Sequence, residues 1–468
     1  MGMSMRPGIN LQNLVLMFGL FIICIVVAYI LATQEMFWAM GVVLGTAFFA
    51  IGFLSPRFSL YILILSMLLS PEIGQRDLTG EGFSIRMEDL LLIVMGFAWL
   101  TKTAVQKNIG LAVKTDLNRP IFIYMLVCIV STALGIMIGN VKSPLTGIMF
   151  VLKYFEYFVV FFLTLNNITN RRDIKILLTV LFLTYMIVII IGFSQIPRGI
   201  RISAPFEGKD SEPNTLGGYL MLLLSVNIVL FLNVKEKMLK FGLGILAFFS
   251  FVGILYTLSR ASWLASFVMY ISLIMFTKKK RKILVFALLA GLIFAPFTMP
   301  DEVIERALYT FQKEPGEAMF TEAEAQYIKE AYNVDVDGST AARLDSMKEV
   351  LRDFAKHPLL GYGVTGYHFI DAQFHKVLIE TGIIGLFTFI SLLFMTAKLL
   401  YRNMKKYSED PLYNALATGT FCGLMGLIAH SVGTNTFIIV RIMEPFWCLV
   451  ALNLAIPIIE ESETSLAA

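Results

Sequence analysis

Apolar residues run along this chain in blocks separated by short polar stretches. An α-helix rises about 1.5 Å per residue, so roughly 20 apolar residues cross the hydrocarbon core of a bilayer. On that measure spans are expected over 14–32, 36–54, 58–72, 89–102, 119–139, 148–166, 174–195, 215–233, 241–258, 262–277, 283–299, 377–398, 411–431 and 435–457. The third and fourth are short for a span. The run from Leu14 to Ala32 is long enough to cross and has no small-residue cleavage pattern, so it reads as a helix and not as a leader. The pattern predicts an all-α, polytopic membrane protein with about 14 transmembrane helices (12–14) and one large helical extracytoplasmic loop.

The blocks divide the chain into three. Residues 1–299 hold spans 1 to 11, residues 300–376 are a long polar segment, and residues 377–468 hold spans 12 to 14 and a tail. The polar segment has a helical pattern: Ser339 is the expected N-cap, and Leu344, Met347, Leu351 and Phe354 make an apolar stripe. Pro315-Gly316 and His357-Pro358 punctuate it.

Composition agrees with the spacing. Charged residues make up 15% of the chain, where a soluble domain carries about 25%, and the mean hydropathy is +0.75. One globular core cannot hide that much apolar surface, so a soluble enzyme and a nucleic-acid partner are both excluded. Cys24, Cys128, Cys422 and Cys448 all fall in apolar runs and read as small buried hydrophobes, with no disulfide and no zinc spacing.

The distribution of charge gives the membrane body a direction. Lys102/Lys107/Lys114/Arg119, Arg171/Arg172/Lys175, Lys235/Lys237/Lys240, the run Lys278–Lys282 and Lys398/Arg402/Lys405/Lys406 all fall on one side of a fourteen-span map, with Arg6 and Arg57. The short loops opposite carry Arg76, Arg86, Lys142, Arg198, Arg201, Lys209 and Arg260. Basic loops stay in the cytoplasm. Both termini are therefore expected there, and the 300–376 segment outside.

Charges inside spans are costly and draw attention by default. Lys153 with Glu156, and Arg441 with Glu444, are spaced i,i+3 and share a helix face. Lys153 and Arg441 would lie roughly 8–10 Å below the outer surface. Each pair reads either as self-neutralised or as the lining of a polar cavity open to the outer leaflet. Arg260 at the outer end of span nine, Arg198 and Arg201 before span eight, then Glu207, Glu212 and Asn214, lie at the same level. His430 ends span thirteen there, and His357, His368 and His375 are in the long segment. Arg343 shares a helix face with Met347, Val350 and Phe354, at the border of the apolar stripe, and reads either as a snorkelling side chain or as a functional one.

Several arginines on one outer-leaflet cavity suit an anion, because a guanidinium fork binds phosphate bidentately and stays charged. A lipid-linked pyrophosphate delivers such an anion at the membrane surface. No metal and no cofactor is called for. Asp77, Glu81, Glu88 and Asp89 are scattered and make no Asp-rich divalent-cation motif.

Four motifs in order then become informative. They are Arg201-Ile-Ser-Ala-Pro-Phe-Glu leading to Pro213-Asn214-Thr-Leu-Gly-Gly-Tyr219; Thr257-Leu258-Ser259-Arg260-Ala261-Ser262-Trp263; Arg343-Leu-Asp-Ser-Met followed by His357-Pro-Leu-Leu-Gly361-Tyr-Gly363; and Asp371-Ala-Gln373-Phe-His375-Lys-Val-Leu-Ile-Glu380-Thr-Gly382-Ile-Ile-Gly385. From about 195 to 400 the chain resembles the O-antigen ligase and O-antigen polymerase superfamily of bacterial membrane glycosyltransferases. The resemblance implies a GT-C type fold, an undecaprenyl-pyrophosphate-linked glycan donor and metal-independent transfer outside the bacterial cytoplasmic membrane. It implies that Arg260 and Arg343 hold the pyrophosphate, with Arg201 matching a third arginine. Ligases of the superfamily carry His-Asn where this chain has Asp371-Ala372, and His375 lies one helical turn further on. The departure leans toward a polymerase. Asp371 reads either as a general base or as a helix N-cap.

The expected catalytic set is therefore Arg260, Arg343, Asp371 and His375, and the expected substrate-binding set Arg198, Arg201, Asn214, Lys153, Glu156, Gln373 and Arg441. The first function expected is a polysaccharide polymerase joining lipid-linked repeat units. The second is a ligase moving the glycan to lipid A core or to protein. The third, of another class, is a transporter or flippase; transporters place charge near the midplane, often between internal repeats. Membrane lipid, the lipid-linked oligosaccharide, and a chain-length regulator or flippase are the expected partners.

Overall fold

The computed structural model describes residues 36–73, 85–105, 113–198, 201–206, 212–277, 280–308 and 338–467. The expected span over 14–32 lies outside the described residues, as do Pro315-Gly316 and Lys209.

Helices fall where the apolar blocks predict them. In chain order they are α1 (Met36–Leu54), α2 (Pro56–Leu69), α3 (Met87–Val105), α4 (Asn118–Ile138), α5 (Pro144–Asn167), α6 (Arg171–Phe193), α7 (Pro213–Asn233), α8 (Lys237–Tyr256), α9 (Arg260–Phe276), α10 (Arg281–Thr298), α11 (Asp301–Leu308), α12 (Gly338–Phe354), α13 (Gln373–Lys406), α14 (Pro411–His430) and α15 (Val440–Ala467). A two-residue antiparallel pair, β1 (Glu72–Ile73) with β2 (Ile85–Arg86), precedes α3. Among the described residues eight helices are long and apolar enough to cross a membrane: α4 to α8 and α13 to α15. α2, α9 and the Gly45–Leu54 part of α1 are apolar but shorter. The protein is thus a polytopic helical membrane protein, and the described residues carry eight such helices where the sequence suggests about 14 spans.

Two compact units make up the chain. The smaller comprises Met1–Ser59 and Leu90–Leu111, the larger Leu60–Asp89 and Ala112–Ala468. In the smaller unit, Gly52 faces Ala98, whose Cβ lies 3.1 Å from where a glycine Cβ would be, so α1 and α3 pack closely there.

In the larger unit, α7 and α15 are central. Of their apolar windows 83% and 89% are buried, against 22% for α8, whose Phe241, Phe248 and Phe251 point outward. α14 lies against α7 at backbone distance. A Cβ on Gly419 would stand 2.5 Å from Val226 Cα, and Ser225 Oγ donates to the Gly419 carbonyl at 2.8 Å. Small residues let helices approach where lipid offers no hydrophobic drive for association. Cys128, Cys422 and Cys448 are buried and free, as their apolar settings suggest.

α12 departs from expectation in two details. It starts at Gly338, so Ser339 is its second residue and not the cap. Its packed face is Met347, Val350 and Phe354, set against Ile370, Ala372 and Ile379, whereas Leu351 is 59% exposed. The stripe follows 3.6-residue periodicity through Val350, and Leu351 falls off its edge.

α13 is broken at Gly382, which has φ 67°. The break frees carbonyls of Ile379 and Glu380, and the His357–Gly363 turn takes them. Tyr362 N–H donates to Ile379 O at 2.9 Å, Gly363 N–H to Glu380 O at 2.8 Å, and Ile383 N–H returns to Pro358 O at 2.9 Å. The glycines at 361 and 382 thus belong to one interlock. A Cβ on Gly361 would sit 2.5 Å from Ile379 O, and one on Gly382 2.2 Å from Leu359 O.

Candidate functional site

The turn between α8 and α9 is three residues long. Thr257 ends α8, Leu258 takes a left-handed φ of 50°, and Ser259 is the N-cap of α9, accepting from Ser262 N–H at 3.2 Å. A non-glycine residue at positive φ costs about 1–2 kcal/mol and persists where its surroundings hold it. Here Arg201 holds it: Nε donates to Thr257 O at 3.1 Å and Nη2 to Leu258 O at 3.0 Å. The turn places Arg260 at the first position of α9.

Arg201 is itself held by its own loop. Ile202 N–H donates to Tyr256 O at 3.3 Å. Gln195 grips Ser203 from both sides, accepting from its N–H at 3.0 Å and donating to its carbonyl at 3.1 Å. Arg441 donates to Pro205 O at 2.5 Å. These bonds account for the Arg201-Ile-Ser-Ala-Pro motif as a fixed strap across the end of α8.

A third arginine joins this corner. Partial burial and the charges of Arg306 and Arg260 push Arg201 below its ordinary value. Arg306 lies on α11. The expected site set omits it, because it sits in a polar, mixed-charge stretch with nothing local to mark it. Two helix N-termini meet at the same corner, since Ser259 Oγ, the cap of α9, donates to Oδ1 of Asn214, second residue of α7, at 2.6 Å. Helix N-termini and guanidinium groups all favour an anion.

Other expected residues are placed differently. Lys153 pairs with Asp89 and, at 3.2 Å, with Glu156, so its ammonium is engaged by two carboxylates inside the helix body. Glu88 and Glu444 are both fully buried near this network. Arg441 is fully buried, and its guanidinium goes to the carbonyls of Pro205 and, at 3.1 Å, Ser70. Gln373 is fully buried and accepts from Phe437 N–H at 2.9 Å. Arg198 ends a short 3-10 turn (Ile196–Arg198), and Arg343 lies on α12 one turn before Met347; the side chains of both are outside the described residues.

Asp371 is partly buried just ahead of α13. The N-cap position belongs to Ala372, with no side-chain cap, so the reading of Asp371 as the cap is not realised. His375 is half-buried in the first turn of α13. The segment 430–437 ties this helix start to the arginine corner. Gln373 N–H donates to Ser431 O at 3.2 Å and Asn435 Nδ2 to Ile370 O at 2.6 Å, while His430 Nε2 lies 3.1 Å from Ser262 Oγ.

Glu380 lies outside the expected site set. It is buried, and its Oε1 accepts from Lys376 Nζ at 2.7 Å and Thr365 N–H at 3.1 Å, its Oε2 from Tyr154 OH at 3.3 Å. A carboxylate inside an apolar run was the available signal; here it locks the 357–366 turn to α5 and α13.

Residues 245–390 match the family model described as O-antigen ligase. The match covers the Ser-Arg turn, α11, α12, the His357–Gly363 turn and the break at Gly382. No curated protein matches the chain.

Proposed function

We propose, from the membership of residues 245–390 in the O-antigen ligase and polymerase superfamily, that this membrane enzyme is a polysaccharide polymerase. It would transfer a glycan from an undecaprenyl-pyrophosphate carrier to a second lipid-linked repeat unit, on the face of the membrane opposite its basic loops. The observation that carries the reading is Arg260 at the first position of α9, on a turn that Arg201 holds through two carbonyls, with the α9 cap bonded to the N-terminus of α7.

An acceptor hydroxyl attacks the anomeric carbon as the bond to the carrier pyrophosphate breaks. Charge grows on the leaving pyrophosphate, and fixed guanidinium groups stabilise it more than they stabilise the ground state. Arg260 projects from a turn that Arg201 braces, so the cluster needs little reorganisation. Arg343 is assigned to the same anion from its position in the motif. The hydroxyl proton goes to a carboxylate, for which Asp371 stands in the motif position and is not used as a helix cap. His375 is the neighbouring candidate.

A ligase is the second reading, favoured by the description of the matching family. The Asp371-Ala372 departure from the ligase His-Asn pair favours the polymerase. A flippase is the third, and the gathering of arginines at one end of the helices favours chemistry there. The lipid-linked glycans of a strain lacking this chain separate the three. Single repeat units on the carrier support a polymerase. Long polymer retained on the carrier means a ligase, and units confined to the cytoplasmic leaflet a flippase; either result sinks the first reading.

A further inference from the structure

A hydrogen-bonded chain runs from the end of α14 to the start of α7. His430, the last residue of α14, is fully buried. Its Nδ1 lies 2.8 Å from Thr436 Oγ1 and 3.0 Å from Thr434 Oγ1, and its Nε2 3.1 Å from Ser262 Oγ. Ser262 Oγ donates to Ser259 Oγ at 2.8 Å, and Ser259 Oγ to Asn214 Oδ1 at 2.6 Å.

Counting protons fixes the direction of the chain. A hydroxyl has one proton and two lone pairs. Ser259 Oγ accepts from both the backbone N–H and the hydroxyl of Ser262, so its own proton goes to Asn214. A separation of 2.6 Å suits O–H···O, whereas N–H···O bonds cluster at about 2.9–3.0 Å. The amide oxygen of Asn214 therefore faces Ser259. With the Ser262 proton used on Ser259, the bond to His430 needs an N–H at Nε2, and Nδ1 accepts from a threonine hydroxyl. The Asn214 NH2 group is then turned to the other edge. Asn214 is partly exposed, and its partner Ser259 immediately precedes Arg260.

Packing holds this arrangement. A Cβ on Gly217 would stand 2.1 Å from Ser262 Oγ, and one on Gly218 2.6 Å from Ile442 Cδ1 and 3.3 Å from His430 Cε1. The Gly217-Gly218 pair lets α7 lie directly on the chain.

We propose that Asn214 contacts the anion with its N–H edge, and that His430, acting through Ser262 and Ser259, is a positioning residue that keeps that edge outward. The proposal rests on the reading of the arginine corner as an anion site. A single hydrogen bond to a charged ligand corresponds to about 10- to 100-fold in affinity, which sets the scale of the effects.

The test is calorimetric binding of inorganic pyrophosphate to the full-length protein in detergent, with polymer yield per folded protein as a second readout. Asn214→Ala weakens binding about tenfold. Asn214→Asp keeps the acceptor for Ser259 and replaces the donor with a negative oxygen, so it is worse than Asn214→Ala. Ser262→Ala weakens binding roughly threefold alone and not at all on top of Asn214→Ala, because coupled residues are non-additive. His430→Gln, which retains an N–H donor, holds more affinity than His430→Leu. Wild-type binding in Asn214→Ala, or an Asn214→Asp milder than Asn214→Ala, overturns the contact. Independent losses in the Asn214→Ala/Ser262→Ala pair overturn the positioning role. If the wild-type protein does not bind pyrophosphate, or Arg260→Ala binds it equally well, the anion-site reading itself fails. Where Arg260→Ala does lose binding, that reading stands, and an Asn214→Asp milder than Asn214→Ala in polymer yield then overturns this proposal alone.

Discussion

Arg441 Nη1 donates to the carbonyl of Pro205, 236 positions earlier in the chain, at 2.5 Å. The bond joins the start of α15 to the loop that presents Arg201. The second arm of the same guanidinium reaches Ser70 O. A residue that the sequence offers as a substrate ligand thus ties α15 to the loop that carries Arg201.

Arg441→Ala removes both bonds and takes a cation from beside the buried Glu88. Removing one partner from a buried charged network costs about 3–5 kcal/mol, so the variant should melt well below the wild-type protein in detergent. Arg441→Lys cannot serve two carbonyls with one fork and should fall between. Unchanged melting in Arg441→Ala would show that the clamp carries no stability.

Arg260→Ala should lower polymer formation by roughly 100-fold or more while the protein level stays normal, the scale seen when one electrostatic stabiliser of a transition state is removed. Arg306→Ala should act in the same direction, since its charge is felt at Arg201. Lysine at position 260 should rescue poorly. Polymer of normal yield and length in both alanine variants would remove the arginine corner from the reaction.

Gly382→Ala sets a side chain 2.2 Å from Leu359 O at a φ of 67°. The expected result is loss of folded protein, or release of the 357–366 turn, at a cost of at least about 1–2 kcal/mol from backbone strain alone. Gly242→Ala, on α8, has no positive φ and meets nothing within 4 Å, and serves as the milder comparison. Equal expression and equal protease resistance of Gly382→Ala and wild type would refute the interlock.

Hydrogen bonds from Lys356 Nζ and Tyr367 OH hold the Asp353 carboxyl at about 2, below the usual carboxylate range. A depressed carboxylate contributes stability above its unfolded value near 4, and that stability is lost as pH falls through the folded value. Acid between about pH 4 and pH 2 should therefore loosen the end of α12 from the Tyr362–Tyr367 turn. Hydrogen exchange of residues 345–367 reads this, and Asp353→Asn should flatten the response. An acid response that survives in Asp353→Asn would assign it to another group.

Much of the fold was legible because hydrophobic length is a local property. The blocks over 119–139, 148–166, 174–195 and 411–431 each fall on a helix, and the caps Ser143, Asn170 and Asp410 sit where helix-start chemistry expects them. Leu351 leaves the expected stripe because one residue of drift on a 3.6-residue period moves a side chain off a face. Lys153 and Glu156 were legible as a same-face pair, but Asp89, which takes the other side of that ammonium, lies 64 positions away.

By itself the sequence determined that lipid is the solvent and where the described helices lie, and it singled out the arginines as candidates. It also carried Arg201 and Arg260 by motif. Only the tertiary structure decided which charges share a corner. It set Arg201 on the turn that carries Arg260, buried Arg441 against the carbonyls of Pro205 and Ser70, and linked His430 to Asn214 through Ser262 and Ser259. The physical reason is range. Burial of an apolar helix is set by consecutive residues, whereas hydrogen bonds and ion pairs at about 3 Å are set by how distant helices pack.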